Sequence, residues 1–265
     1  LMWEQMRHSV VEHFTTPESK AIDTTAYMAK VDDAYTTDAY HSLSIEGYRV
    51  SPELIEQIRR GKWNPGNNEN DRRHHDALAA SGYYRAFQAV RQSVQKVLSG
   101  QNAGIVARQE HGDWYREMFA PLVTAGMLES ASLAGYRDAR VFLRGSRHMP
   151  ASHEAVSELM SVYFDLLENE DSPAVRIVMG HFAFVYVHPY MDGNGRISRF
   201  LMNVMLASGG YPWTVIPFES RDDYMASLET ASVDQNIVPF TRFIANLVTR
   251  EMEGNAAAKL PVSKG

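Results

Sequence analysis

Cysteine is missing from all 265 residues. Its absence excludes disulfides, thiolate zinc sites and a cysteine nucleophile, and it fits a reducing, cytoplasmic setting. Long hydrophobic runs are missing too. The longest, Phe182 to Val187, is far too short to cross a bilayer, so no membrane span is expected, and the first residues lack the apolar core of a secretory signal. There is no excess of positive charge: the net charge is −6, which argues against nonspecific binding to nucleic acid. Neither an internal repeat nor a low-complexity segment is present. What remains is enough chain for one large domain or two modest ones with a substantial core. Leu1 precedes Met2, which leaves open a processed or shortened chain and a further domain.

The most informative stretch is His188-Pro-Tyr-Met-Asp-Gly-Asn-Gly-Arg-Ile-Ser-Arg199. Gly193-Asn194-Gly195 sets two glycines and an asparagine tolerant of left-handed backbone ahead of an apolar helical run. Such a turn aims consecutive N–H groups at one point, where the helix N-terminus adds partial positive charge. Arg196 and Arg199, three apart, rise from one helix face toward the same anion. Asp192 supplies a hard carboxylate oxygen suited to Mg²⁺ held partly by substrate phosphates. His188 is the one side chain here that accepts a proton near pH 7. Base, metal ligand, anion nest and two guanidinium groups within twelve residues point to phosphoryl or nucleotidyl transfer.

These residues resemble the Fic family signature, His-x-Phe-x-(Asp/Glu)-Gly-Asn-Gly-Arg-x-x-Arg. The one departure is Tyr190, which keeps the aromatic body but adds a hydroxyl that needs a partner if buried. Upstream, Ser42-Leu-Ser-Ile-Glu46-Gly47 resembles the family's inhibitory motif, (Ser/Thr)-x-x-x-Glu-(Gly/Asn), with Glu46 offering a carboxylate to Arg199. The resemblance implies an all-α Fic fold with one small β-hairpin flap. It implies a protein adenylyltransferase that moves AMP from ATP, with Mg²⁺, to a Ser, Thr or Tyr hydroxyl of a target protein or of itself. It also implies autoinhibition by Glu46. The implied roles are His188 as base, Asp192 on the metal, Gly193, Asn194, Gly195, Arg196 and Arg199 on the phosphates, and Ser42, Glu46 and Gly47 as the inhibitory set. Rival readings are AMP removal, transfer of another nucleotide or phosphate group, and a nucleotide-sensing module. A homo-oligomer stays open.

In chain order, a short helix and the Thr15-Thr16-Pro17 turn lead to a helix from about Asp23 to Glu46, ended by Gly47. Ser51-Pro52 opens the next, which closes at Gly61. Residues 63–70 read as a loop. His74, His75 and Asp76 are adjacent, point about 100° apart on a helix, and read as structural rather than as metal ligands. The Ser99–Gly104 turn divides an N-terminal helical region, 1–100, from a catalytic core, 101–254; residues 255–265 read as a disordered tail. A helix covers Trp114 to Val123. After Gly135-Tyr136-Arg137, the β-prone run at 140–144 predicts a hairpin. By resemblance this is the flap that docks the target, carried by Val141, Phe142, Leu143, Arg144 and Gly145. Pro150-Ala151 replaces the usual Pro-Pro. Val156, Leu159, Met160, Tyr163 and Leu167 predict an amphipathic helix. Pro173 starts a buried helix in which His181 reads as a core histidine. By resemblance Tyr224 stacks on adenine, while the residue itself reads equally well as a buried core aromatic, and Ser232 stands where asparagine is common.

Overall fold

The computed structural model describes residues 2–19, 21, 23–63 and 71–262. Residues 64–70 of the expected loop lie outside the described residues. Those described form ten α-helices and two short 3-10 turns, with no β-strand. The helices are α1 (Met2–His13), α2 (Thr24–Ile45), α3 (Pro52–Arg59), α4 (Asp71–Leu98), α5 (Ala103–Thr124), α6 (His153–Asn169), α7 (Pro173–Val187), α8 (Asn194–Ser208), α9 (Arg221–Val233) and α10 (Val238–Met252). Among the described residues no helix is long and apolar enough to cross a membrane.

The helix starts follow from local chemistry. Asp23 caps α2 by accepting from Ala26 N–H at 3.0 Å, and Ser51 caps α3 through Leu54 N–H at 3.2 Å. Ser172 caps α7, and Pro52 and Pro173 each sit in the first turn, where a missing N–H costs nothing. Gly47, at φ +88°, ends α2 as expected. Helix α5 starts eleven residues before Trp114, at Ala103, because Asn102 caps it.

α7 lies at the centre. It packs on α8 along most of its length and also meets α1, α6, α9 and α10. Its buried residues include Val175, Ile177, Val178, Phe182 and Phe184. α8 is likewise walled in by α7, α4, α5 and α2. α4 and α5 approach so closely that a Cβ on Gly82 would lie 1.9 Å from the Met118 carbonyl oxygen. One hydrophobic core runs from Trp3 to Val248, continuous across the Ser99–Gly104 turn.

Three expectations need correction. Val156, Met160, Tyr163 and Leu167 of α6 are buried, but Leu159 is 36% exposed. The segment at 255–262 is anchored at its middle: Ala258 is buried and the Lys259 carbonyl meets His41 Nε2 at 3.0 Å, while Val262 is exposed. The expected hairpin is not a pair of strands either. Residues 138–150 reverse at Arg144–Gly145, where Ser146 N–H reaches Leu143 O at 3.1 Å. The returning arm takes other partners. Ser146 Oγ and Arg147 N–H donate to Glu229, and the His148 ring binds the Tyr186 carbonyl at 2.8 Å. The N–H groups of Ser146, Arg147 and His148 thus have partners other than 140–142. That arm still has extended character, with Arg140, Phe142 and Arg144 exposed while Val141 and Leu143 turn partly inward.

Candidate active site

The α7–α8 connection carries the chemistry. His188 ends α7 in left-handed backbone, φ 54° and ψ 62°, a conformation that costs a side-chain-bearing residue about 1–3 kcal/mol unless its surroundings fix it. The His188 ring Nδ1 lies 3.3 Å from the Val185 carbonyl. A carbonyl only accepts, so Nδ1 carries the proton and Nε2 keeps its lone pair. Burial first, then Arg137 and His148, lower the pKa of His188 against the opposing effects of Val185 O and Glu46. The ring is therefore neutral at pH 7 and able to accept a proton.

Asn194 has a different task from the expected one. Its Oδ1 accepts from Tyr190 N–H at 2.9 Å and its Nδ2 donates to Tyr190 O at 2.8 Å. Both side-chain atoms thus staple the loop shut. Tyr190 is buried and stacks flat on Tyr115, with centroids 3.8 Å apart. Gly193, at φ +85°, turns the chain into α8. The first-turn N–H groups of Asn194, Gly195 and Arg196 precede the first intrahelical bond, Ile197 N–H to Gly193 O, and have no backbone acceptor.

Both arginines are buried. Arg196 donates to Asp192 Oδ2 at 3.1 Å and lies between the Tyr48 and Phe119 rings, 5.1 and 5.2 Å from their centroids. Arg199 donates from Nε to Ser42 Oγ at 2.9 Å, and from Nη2 to Ser42 O at 3.1 Å and Glu46 Oε1 at 2.7 Å. Burial opposes the Arg199 charge, but Glu46 and its other neighbours outweigh that and raise its pKa. Two donors, Arg196 Nε and Arg199 Nη1, are buried without a partner. A buried orphan donor is costly, and both stand in the turn that presents the free N–H groups. The donor set fits a polyphosphate.

Glu46 occupies this nest. A Cβ on Gly195 would lie 2.3 Å from Glu46 Oε1 and 3.2 Å from Arg199 Nη1, so glycine is required for the carboxylate to sit there. Ser42 and Glu46 both hold Arg199, and Gly47 makes the turn behind them. Asp192 is an exposed carboxylate that accepts from Gly193 N–H at 2.6 Å. Among the described residues no group of three or more His, Asp or Glu could hold a metal. One carboxylate fits Mg²⁺ only in company with phosphates and water.

Tyr224 does not fit the expected adenine platform. It is 1% exposed, its hydroxyl bonds to His181 Nε2 at 2.8 Å, and its ring stacks on Phe243. It is core. Desolvation pushes the His181 pKa down to about 3, in keeping with a core histidine. Ser232 is half-buried. The open space near Glu46 is a cavity of about 540 Å³ lined by Ser44–Gly47, Phe218, Glu219, Arg221 and Asp222. His75 stacks on Tyr48, and His74 lies against Trp63. Tyr48, Phe119 and Arg137 were not singled out from the sequence, because each reaches the site from a distant segment.

Residues 109–206 match the Fic/DOC family. "Protein adenylyltransferase Fic" of Nematostella vectensis is 35% identical over 127 residues, 46% of this chain and 29% of the relative. Its namesake in Aedes aegypti is 26% identical over 255 residues, 94% of this chain and 48% of the relative. The chain spans less than half the length of the curated relatives it matches. Residues 134–508 of Fic-1 from C. elegans superpose with a TM-score of 0.71 at 22% identity, covering 96% of this chain and 70% of that one. A Fic domain containing signaling protein from Bacteroides thetaiotaomicron gives 0.63 at 16%, covering 98% and 100%. At these identities the structures speak for the fold, which is all-α in the manner of Fic proteins. Residues 109–206 belong to the Fic/DOC family.

Proposed function

We propose that the chain transfers AMP from ATP to a Ser, Thr or Tyr hydroxyl of a protein, itself included, and that Glu46 restrains the reaction. The observation that carries this reading is the pair of buried, partnerless guanidinium donors in the turn after His188, whose Nε2 is free. His188 Nε2 takes the hydroxyl proton as the oxygen bonds to the α-phosphorus. The bond from that phosphorus to the bridging oxygen breaks, and pyrophosphate leaves. The N–H groups of residues 194–196 and the Arg196 guanidinium bind the inner phosphates, and Arg199 Nη1 binds the γ-phosphate. Mg²⁺ on Asp192 would neutralise charge on the leaving group. Positioning and charge stabilisation supply the rate, as in phosphoryl transfer generally. The cavity bounded by Ser44–Gly47 and Phe218–Asp222 gives the nucleoside a place beside the Glu46 turn.

The test uses a Glu46→Gly variant with cell lysate and nucleotides labelled separately at the α- and γ-phosphates. Label entering protein from the α-position alone supports AMP transfer. Label from the γ-position, from UTP alone, or release of AMP from a pre-labelled protein assigns the site to one of the rival reactions. ATP binding without any transfer makes it a sensor.

A further inference from the structure

Arg137 is a buried cation, 5% exposed, and among the described residues no carboxylate pairs with it. Each of its three side-chain nitrogens donates to a main-chain carbonyl. Nε binds His188 O at 2.8 Å, Nη1 binds Ala139 O at 3.0 Å, and Nη2 binds Ala151 O. Its own N–H binds Pro189 O at 2.8 Å. Burying a guanidinium costs several kcal/mol unless its hydrogen bonds are complete. An arginine whose three nitrogens all bind main-chain carbonyls fixes geometry rather than neutralising charge. Desolvation lowers its pKa, yet a guanidinium stays charged throughout.

The four carbonyls have a meaning as a set. Those of His188 and Pro189 fix the two peptide planes that flank Pro189, directly after the strained His188. Those of Ala139 and Ala151 are the two feet of the flap, whose outer face carries the exposed Arg140, Phe142 and Arg144. One side chain therefore ties both feet of the flap to the backbone of the base. The far arm of the flap is tied elsewhere, to Glu229 and Tyr186. Movement of the near arm must pass through Arg137.

We propose that Arg137 is a positioning residue that makes the aim of the His188 base depend on the state of the 138–151 flap. When a protein segment lies along the flap, the Ala139 and Ala151 carbonyls settle, the guanidinium is held, and His188 Nε2 faces the incoming hydroxyl. The inference rests on the reading of His188 as the base for AMP transfer. Arg137 makes no recorded contact with the residues that bind phosphate, so its loss should act on turnover and not on nucleotide affinity. Displacing a catalytic group by about 1 Å costs on the order of a hundredfold in rate.

The experiment is made in the Glu46→Gly background, with auto-modification from α-labelled ATP as the assay. Arg137→Lys keeps the charge but cannot reach three carbonyls from one planar fork; Arg137→Gln removes the charge. Both should lower kcat by at least about tenfold with KM for ATP changed less than about twofold. NMR titration of the His188 imidazole supplies a second readout. The charged groups facing that ring are Arg137 and His148, which disfavour its cation, and Glu46, which favours it. In the Glu46→Gly background, Arg137→Gln should raise the His188 midpoint and Arg137→Lys should leave it nearly in place. If kcat falls by less than about twofold, or falls only in step with KM and thermal stability, the positioning role is wrong. If Glu46→Gly alone takes no label, the AMP-transfer reading has failed instead. The His188 midpoint still decides about Arg137, because an unchanged midpoint in Arg137→Gln overturns the contact. Should Arg137→Gln not fold, the kcat and KM of Arg137→Lys carry the test.

Discussion

Replacing Glu46 with glycine is the perturbation that bears most directly on the site. Glu46 and Arg199 form a 2.7 Å ion pair whose side chains are 27% and 5% exposed. A charge-assisted bond in such a setting is worth about 1.5–3 kcal/mol. Any γ-phosphate must displace this pair to reach Arg199, and it would meet a second negative charge beside Gly195. After Glu46→Gly, Arg199 keeps its bonds to Ser42 Oγ and Ser42 O at 2.9 and 3.1 Å. The guanidinium therefore stays in place while Nη2 regains a free lobe. Recovering even about 1.4 kcal/mol in the transition state gives a tenfold gain. Glu46→Gly should raise labelling from α-labelled ATP by at least about tenfold over wild type. Adding Arg199→Ala should abolish the gain, because the freed arginine is what activates. The assay is incorporation of label at matched protein and Mg²⁺–ATP. Equal labelling by wild type and Glu46→Gly would refute the inhibitory reading, whatever the absolute rate.

His188→Ala should remove transfer while ATP affinity by calorimetry changes little, since a general base acts in the transition state; a variant with near-full labelling removes His188 from the chemistry. Because the folded-state His188 pKa is lowered, the acid limb of kcat in Glu46→Gly should fall below the ordinary histidine range, near 6.5, with a plateau through pH 7. A limb centred above pH 7 contradicts the neutral-base reading. Asp192→Ala should weaken Mg²⁺-dependent ATP binding, and unchanged metal dependence in a titration places the ion on other groups. Asp38 is buried among Tyr83 and Trp213, and desolvation pushes its pKa up to about 6. The folded state thus holds its proton more tightly than the unfolded chain. Its contribution is complete below the unfolded pKa, about 3.9, and is lost as pH rises through 6. Relative to Asp38→Asn, wild type should lose on the order of 2–3 kcal/mol of unfolding free energy between about pH 4 and 6 in chemical denaturation. A constant difference across that window refutes the shift.

What the sequence disclosed was what neighbouring residues decide among themselves. Ser51 caps the helix that it begins, the α2 helix starts next to Asp23, and Pro52 and Pro173 fall in first turns, because a helix start needs only the next three residues. The stretch 188–199 was legible for the same reason: base, nest and arginines are contiguous. Long-range competition was not legible. Tyr224 read equally well as a platform or as core until His181 and Phe243 arrived from other helices to bury it. The 140–144 run had β-propensity, but Glu229 took the Arg147 N–H, and Glu229 and Tyr186 hold the Ser146 and His148 side chains of the arm that would have paired with it. Arg137 looked like an ordinary residue beside a glycine. Only the fold brings it to His188, 51 positions away.

How Glu46 leaves the site follows from the packing of its helix. Val31, Tyr35, Ala39 and Leu43 of α2 are at most 1% exposed. Burying a large apolar side chain of this kind contributes about 1.5–3 kcal/mol, so lifting α2 away would expose several such residues at once. Three further hydrogen bonds hold its C-terminal end. Arg221 Nε donates to Ile45 O at 2.9 Å, and His41 Nδ1 accepts from Phe218 N–H at 2.9 Å while Nε2 donates to Lys259 O. Against that, turning the Glu46 side chain toward the adjoining cavity breaks one ion pair, at about 1.5–3 kcal/mol, and returns the carboxylate to water. The helix stays and the side chain moves. An activating partner therefore needs only to favour one rotamer of Glu46, and Gly47 Cα, with φ +88° and no atom within 4 Å of a Cβ placed there, leaves open ground beside it.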